Sequence, residues 1–214
     1  MSIALIDSLR SRLDGRQPDR PILERFAPSH TRRERFDSTP SGARPASVMV
    51  LLYWDRGEWK FPLVLRPTHL KHHHGQVALP GGACDPGERS HETALRELNE
   101  ELGVATSEVE ILGALSSFFI PVSRFIVFPW VGWTERRPTF RPSPNEVEEL
   151  LEARLTPILD LSTLATETRE LAGQQVEVPY FTVGPHKVWG ATCIVLGELA
   201  TVCEGLVVRG ERES

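Results

Sequence analysis

Five glutamates, Glu88, Glu92, Glu97, Glu100 and Glu101, crowd into "GGACDPGERSHETALRELNEELGV", which spans residues 81–104. On a helix, Glu97, Glu100 and Glu101 stand at i, i+3 and i+4, so their side chains are neighbours. Like charges this close repel, and each such pair destabilises an isolated helix. Solvation alone is better served by alternating Lys and Glu. A cluster of hard oxygen donors makes sense if a divalent cation lies among them. Arg96 precedes the trio and is placed to pair with Glu88, fixing the preceding loop onto the helix. Gly81 and Gly82 let the backbone approach a ligand closely and offer a bare carbonyl to a metal. Taken alone, three glutamates on one helix are more often a solvated face, so spacing by itself leaves both readings open.

The elements that must position these groups follow from hydrophobic patterning. Ala94, Leu95, Leu98 and Leu102 form one stripe of a helix over residues 90–102, the face turned to the core. Ser90 is the expected N-cap, and Gly103 lies just past the C-terminus. Upstream, "ASVMVLLYW" reads as a buried strand, "DRGE" as a turn and "WKFPLVLR" as its hairpin partner. The basic loop "PTHLKHHHG" leads to a short strand, "QVAL". Downstream, "VEILGALSSFFI" and "FIVFPWVGWT" read as strands, and "NEVEELLEARL" as helical or a helix-ended loop. "VEVPYFTV" and "HKVWG" form a small hairpin. "ATCIVLGELATVCEGL" is a closing helix, apolar on one side. Ile3, Leu5, Ile6, Leu9 and Leu13 mark an amphipathic helix at the start. The Pro-, Gly- and Arg-rich residues 15–45 are expected as a polar arm, partly ordered at best, packed on the domain edge. One domain is expected over residues 46–206, with a tail at 207–214. Strands and helices mix without strict alternation, giving an α/β chain of α+β-like character, a mixed sheet covered by helices.

The 214 residues are 40% hydrophobic and 25% charged, ordinary globular composition with material for a real core. The net charge of −5 argues against bulk nucleic-acid binding. No window approaches eighteen apolar residues, so no membrane span is expected. Cys84, Cys193 and Cys203 form neither a disulfide framework nor a zinc-ligand spacing. Cys193 and Cys203, on one helix, would lie about 15 Å apart at 1.5 Å rise per residue. With no signal pattern at the start and "ERES" in place of a peroxisomal address, a reduced cytoplasmic protein is expected. A homodimer is admissible.

The charge pattern extends beyond three residues. Gly82 is followed after five residues by Glu88, after seven more by Arg96-Glu97-Leu98, then Asn99, Glu100-Glu101, Leu102 and Gly103-Val104. This resembles the Nudix box of the Nudix hydrolases at every specified position. The resemblance implies a metal-binding loop–helix–loop on an α/β/α sandwich with a mixed central sheet. It also implies Mg2+ or Mn2+ and hydrolysis of a nucleoside diphosphate linked to another group. Glu97, Glu100 and Glu101 would be the ligands, Glu97 and Glu101 first because i,i+4 side chains converge, with the Gly82 carbonyl beside them. Arg96 and Glu88 complete the catalytic set. Glu146, in "SPNEVEELL", is a candidate extra ligand or general base; an exposed helix-start acid stabilised by the helix dipole is the alternative.

The stretch before the box bears on the substrate. "LVLRPTHLKHHHGQVALPGG" is the strongest basic cluster in an acidic chain, and it leads straight into the metal-site glycines. It resembles the second signature of the coenzyme A diphosphatase branch of the family. Arg66, His73, Gly75, Val77, Pro80, Gly81 and Gly82 match, Lys71 stands where that signature has Arg, and Pro67 and Leu79 depart from it. "VWGATCIVLGELA" resembles the opening of the closing helix in that branch. The implied activity is cleavage of coenzyme A or acyl-CoA to 4'-phosphopantetheine and adenosine 3',5'-bisphosphate. Arg66, Lys71, His73, Gly75 and Gly81 would face this small-molecule diphosphate. Nucleotide sugars, dinucleotides such as NADH and oxidised nucleoside triphosphates are alternative substrates, and a non-catalytic binding module is a third reading.

Overall fold

The computed structural model describes residues 3–15, 20–29, 40–67, 75–171 and 173–206. The central strand, β1 (Arg44–Asp55), is apolar on both faces. Successive side chains of a strand point to opposite sides. Met49 and Leu51 therefore enter one core, with Ala94, Leu98 and Leu102 of helix α3 (Ser90–Leu102). Val50 and Leu52 enter the other, with the N-terminal helix α1 (Ile3–Leu13), the short helix α4 (Leu155–Leu159) and the closing helix α5 (Ala191–Val202). The sheet is thus sandwiched between helices, as expected. Its order places β3 (Val77–Ala78), β2 (Glu58–Leu65), β1, β7 (Phe125–Trp133) and β5 (Glu110–Ala114) side by side. β1 runs parallel to β7 and antiparallel to β2, so the sheet is mixed. Arg56 and Gly57, both at positive φ, make the tight turn between β1 and β2.

Three elements differ from their sequence reading. The segment read as helical, residues 145–155, instead forms β8 (Glu149–Arg154), whose register runs from Glu149↔Leu65 to Arg154↔Lys60. Pairing with the edge of β2 outweighs the local helix propensity of its Glu and Leu residues. The single strand expected over residues 109–120 is two, β5 and β6 (Phe118–Ile120), which pair with different parts of β7. A further strand, β9 (Ala165–Leu171), joins the expected hairpin of β10 (Gln174–Val183) and β11 (His186–Trp189) in a separate three-stranded sheet. No element is expected from sequence over these residues, whose alternating polar and charged side chains give only a weak strand signal.

Two further expectations are corrected. Helix α5 is buried all round, Glu198 included, rather than on one side. The Glu198 carboxylate accepts hydrogen bonds from the Ser116 N–H (3.0 Å) and hydroxyl (2.6 Å). Part of what covers α5 comes from the segment read as a polar arm. There α2 (Arg20–Arg25) leads into buried Phe26 and Ala27. A Cβ on Gly197 would lie 2.2 Å from the Phe26 ring, so the ring rests directly on the helix backbone. The three cysteines are unpaired, and burial pushes the Cys193 and Cys203 thiols up. No described helix is long and apolar enough to cross a membrane.

Gly197→Ala is expected to lower stability by about 1–3 kcal/mol through overpacking, even though Ala gains about 1 kcal/mol of helix propensity over Gly. Thermal denaturation followed by circular dichroism checks this; an unchanged or higher Tm would show that the Phe26 ring is free to move aside.

Candidate active site

The charged helix is delivered by β4 (Gly81–Ala83), which pairs with β1 through Ser47↔Gly82 and Val48↔Gly81. Any side chain on Gly81 would meet the Ser47 carbonyl at 2.2 Å, so the approach requires glycine. The chain then turns into α3. Its N-cap is Arg89, not Ser90; the Arg89 N–H donates to the Glu92 carboxylate at 2.9 Å. Ser90 is already helical, and its hydroxyl accepts from the Trp130 indole N–H at 3.2 Å, joining the helix start to β7. The helix ends at Gly103, in the left-handed conformation with φ 69°.

Arg96 organises the carboxylates. Its Nε and Nη2 donate to the two oxygens of Glu88 at 3.0 and 3.2 Å, the pairing expected from sequence. Nη2 also donates to the Ala83 carbonyl at 3.0 Å, which ties the helix to β4. Nη1 donates to Glu97 at 2.8 Å and to Glu100 at 2.9 Å. Glu88 accepts further from the Thr93 hydroxyl (2.7 Å) and the Asp85 N–H (3.1 Å). These bonds, those from Arg96 foremost, hold the Glu88 carboxyl down at about 2. Thr93 had no sequence signal, since a threonine inside a helix is ordinarily neutral.

The three neighbouring glutamates are not equivalent. The Glu100 side chain is 50% exposed and that of Glu97 is 16% exposed, whereas Glu101 is 3% exposed as a residue. Glu101 stands seven residues after Ala94, which returns it to nearly the same side of the helix, beside the core stripe. Its Oε2 accepts the Gly81 N–H at 3.2 Å, and Arg66 Nη1 lies 3.6 Å from Oε1. Burial pushes the Glu101 carboxyl up to about 8, against the pull of Arg66 and the Gly81 N–H, with the charges of Glu97 and Glu146 adding to the rise. Glu97 is also raised, again chiefly by burial. A Cβ on Gly82 would sit 2.4 Å from the Glu97 carboxylate, so the bare backbone of Gly82 borders that group directly.

Among the described residues, no three acidic, histidine or cysteine side chains close on one point as a ready metal cage. Arg96 holds Glu97 and Glu100 instead. The donor set still fits a hard divalent cation. Two carboxylates, each raised chiefly by burial, lie together, the charge of Glu97 adding to the rise of Glu101, and Glu97 borders the bare backbone of Gly82. A cation that keeps several waters needs only one or two carboxylates from the protein.

Of the substrate-side residues, Arg66, Gly75 and Gly81 are described. The Arg66 N–H donates to the Gln76 carbonyl at 3.1 Å and the Gly75 N–H to the Arg66 carbonyl at 2.9 Å, closing the base of the basic loop. Lys71 and His73 lie outside the described residues. Glu146 does not start a helix. It is exposed in a turn, where its N–H donates to the Ser143 carbonyl at 3.1 Å.

Residues 43–176 match the NUDIX domain family. The chain belongs to the Nudix hydrolase family. Nudix hydrolases generally use divalent metal ions. The mitochondrial coenzyme A diphosphatase NUDT8 of Homo sapiens is 35% identical over 159 residues, covering 72% of this chain and 67% of its own length. The Nudix hydrolase NudL of Pectobacterium atrosepticum is 37% identical over 174 residues, 81% of this chain and 84% of its own. A MutT/nudix family protein from Enterococcus faecalis, solved by crystallography, shares the fold with a TM-score of 0.50 at 20% identity, over 77% of this chain and 64% of that one.

Two outcomes are expected of this Nudix site. Gly82→Ala should push the Glu97 carboxylate aside and cut hydrolase activity on the order of 100-fold, the scale of an ångström of misplacement, with little change in Tm. Full activity in this variant would detach Gly82 from the site. Glu88→Gln should destabilise the protein in a pH-dependent way. The folded-state value near 2 lies below the ordinary 4.5, so the charged pair contributes stability above pH 4.5 and loses it as pH falls through 2. Urea midpoints of wild type and variant should therefore differ at neutral pH and converge toward pH 2; a constant gap would remove the ion pair as the cause.

Proposed function

We propose that this Nudix hydrolase cleaves the diphosphate of coenzyme A or acyl-CoA, giving 4'-phosphopantetheine and adenosine 3',5'-bisphosphate. The observation that carries this reading is the approach of Arg66 to Glu101 at 3.6 Å. It joins the basic segment that resembles the coenzyme A diphosphatase signature to the buried end of the carboxylate pair. The 35% identity to a coenzyme A diphosphatase over most of this chain supports the same choice.

Glu97 and Glu101, with the Gly82 carbonyl, are the groups that would hold Mg2+ or Mn2+. Such a cation, when bound, neutralises the diphosphate and lowers the pKa of a coordinated water. Arg96 keeps Glu97 and Glu100 in their rotamers, and Glu88 keeps Arg96 in place. Glu101, raised by burial, would have to give up its proton to hold such a cation, so metal affinity would fall as pH drops below about 8. Glu100 and Glu146 are the two exposed carboxylates of the group, and one of them accepts the proton of the attacking water. Arg66, Lys71, His73 and Gly75 contact the substrate, the cations meeting its 3'-phosphate.

A panel of coenzyme A, dephospho-CoA, NADH, ADP-ribose and 8-oxo-dGTP with Mg2+, resolved by chromatography, tests the reading. A charge-assisted phosphate contact is worth roughly 1.5–3 kcal/mol, about ten- to a hundredfold in kcat/KM at about 1.4 kcal/mol per decade. Coenzyme A should exceed dephospho-CoA by that factor, and Lys71→Ala should erode the preference. Equal kcat/KM for the two at low salt would eliminate 3'-phosphate recognition and favour the nucleotide-sugar or dinucleotide substrates.

A further inference from the structure

The segment between β7 and β8, residues 134–148, has no regular structure, yet it is pinned at both ends and in the middle. Near its start, Arg137 donates through Nε and Nη2 to both oxygens of Glu152 on β8, at 2.7 and 2.6 Å. The same carboxylate accepts the hydroxyl of buried Tyr53 on β1 at 2.7 Å. The guanidinium of Arg137 lies over the Phe140 ring, 5.3 Å from its centroid, and that ring packs on Tyr53 at 5.6 Å. Arg137, Glu152, Tyr53 and Phe140 thus close a knot that fastens the segment to the sheet, with Phe140 packed on the small core that also receives Ala94, Leu98 and Leu102.

Beyond the knot the segment wraps the end of α3. The Arg141 N–H donates to the Leu102 carbonyl at 2.7 Å and the Ser143 N–H to the Glu101 carbonyl at 2.8 Å. These are carbonyls of the last helical turn, which lack partners within the helix. Gly103 leaves the space that Arg141 occupies; a Cβ there would meet the Arg141 Cβ at 2.8 Å. Val147 is buried with Ala94, Leu98 and Leu102, and the Glu148 N–H donates to the Leu65 carbonyl at 2.9 Å, next to Arg66. Glu146 sits between these attachments, and its charge acts on both Glu97 and Glu101.

We infer that Arg137 and Glu152 are positioning residues for the hydrolase: their ion pair, braced by Tyr53 and Phe140, sets where the segment carries Glu146 relative to Glu97 and Glu101. The bidentate fork fixes direction as well as distance, and the backbone bonds to Glu101 and Leu102 pass that placement to the helix end. A surface pair of this kind adds little to stability by itself, and the Arg137 side chain is 40% exposed. Its consequence is geometric. The inference rests on the proposed roles of Glu97, Glu101 and Glu146 and extends them to an ion pair between the segment and β8.

The experiment compares Arg137→Ala, Glu146→Gln and the double variant, with Glu97→Gln as a control. Full-length protein is assayed on whichever diphosphate of the panel it turns over fastest, and Mn2+ affinity and Tm are measured alongside. Arg137→Ala is expected to lower kcat about ten- to a hundredfold with KM changed less than threefold, on the scale set by misplacement of a reacting group. The double variant should be no worse than Glu146→Gln alone, because both changes remove one contribution. Arg137→Lys should rescue only in part, since an ammonium cannot span both oxygens of Glu152. Should Arg137→Ala fold poorly, Phe140→Leu, which keeps the ion pair and removes the stacked ring, must give a smaller loss of the same kind. Losses in kcat that multiply in the double variant, or a lowered Tm with kcat intact, overturn the inference. A fully active Glu97→Gln enzyme overturns the reading beneath it instead, whatever Arg137 does.

Discussion

One guanidinium holds most of the acidic charge of this site in place. Arg96 donates to Glu88, Glu97, Glu100 and the Ala83 carbonyl together. Its delocalised charge and five N–H groups in one plane suit it to several oxygens in different directions, which an ammonium cannot match. Without it, Glu97 and Glu100 would repel across one turn of helix, and the loop carrying Gly82 would lose its tie to that helix. Arg96 therefore offsets the like-charge repulsion that a cation-binding face creates when no cation is bound. It does so from the edge of the group, leaving the deepest carboxylate, Glu101, out of its reach.

Glu101 is handled by other means. It lies against the core stripe of α3 and, among the described residues, takes the Gly81 N–H and the 3.6 Å approach of Arg66. A carboxylate in that environment is costly to ionise, and burial raises its pKa to about 8 despite the pull of Arg66. Two acids of the same loop–helix unit are thereby driven in opposite directions: Glu88 in the loop, saturated with donors, stays ionised to low pH, while Glu101 near the helix end is raised by burial to about 8. Environments that separate the pKa values of nearby carboxyls are a recurrent feature of sites that bind charge or move protons.

The sheet explains why these groups meet. β4 reaches β1 only because Gly81 leaves room for the Ser47 carbonyl, and that pairing sets Gly82 against Glu97. β8 closes the edge of β2 and, through Glu152, holds the irregular segment that returns over the end of α3. On the other face, α5 and Phe26 fill the core without touching the acidic helix. One core supports the sheet and the smaller one, built from Met49, Leu51, Val64 and the α3 stripe, aims the site.

Much of this was legible in the chain itself, where the cause is local. The helix over residues 90–102, its core stripe, the Arg96–Glu88 pair and the glycines before them depend on spacing along one short stretch, and periodicity carries that information directly. The strands of the central hairpin were equally plain, because β1 is buried on both faces and reads as a continuous apolar run. What tertiary structure decided were the differences among like residues. Glu100 and Glu101 are adjacent and chemically identical, and only the packing of α3 against Met49 and Val147 makes one half exposed and the other buried. The strand character of residues 149–154 depends on the free edge of β2. The covering of α5 depends on Phe26, more than 160 residues earlier in the chain. The place of Glu146 depends on an ion pair to Glu152 and on two helix-end carbonyls. Each of these is a contact between segments distant in sequence, and no local propensity encodes it.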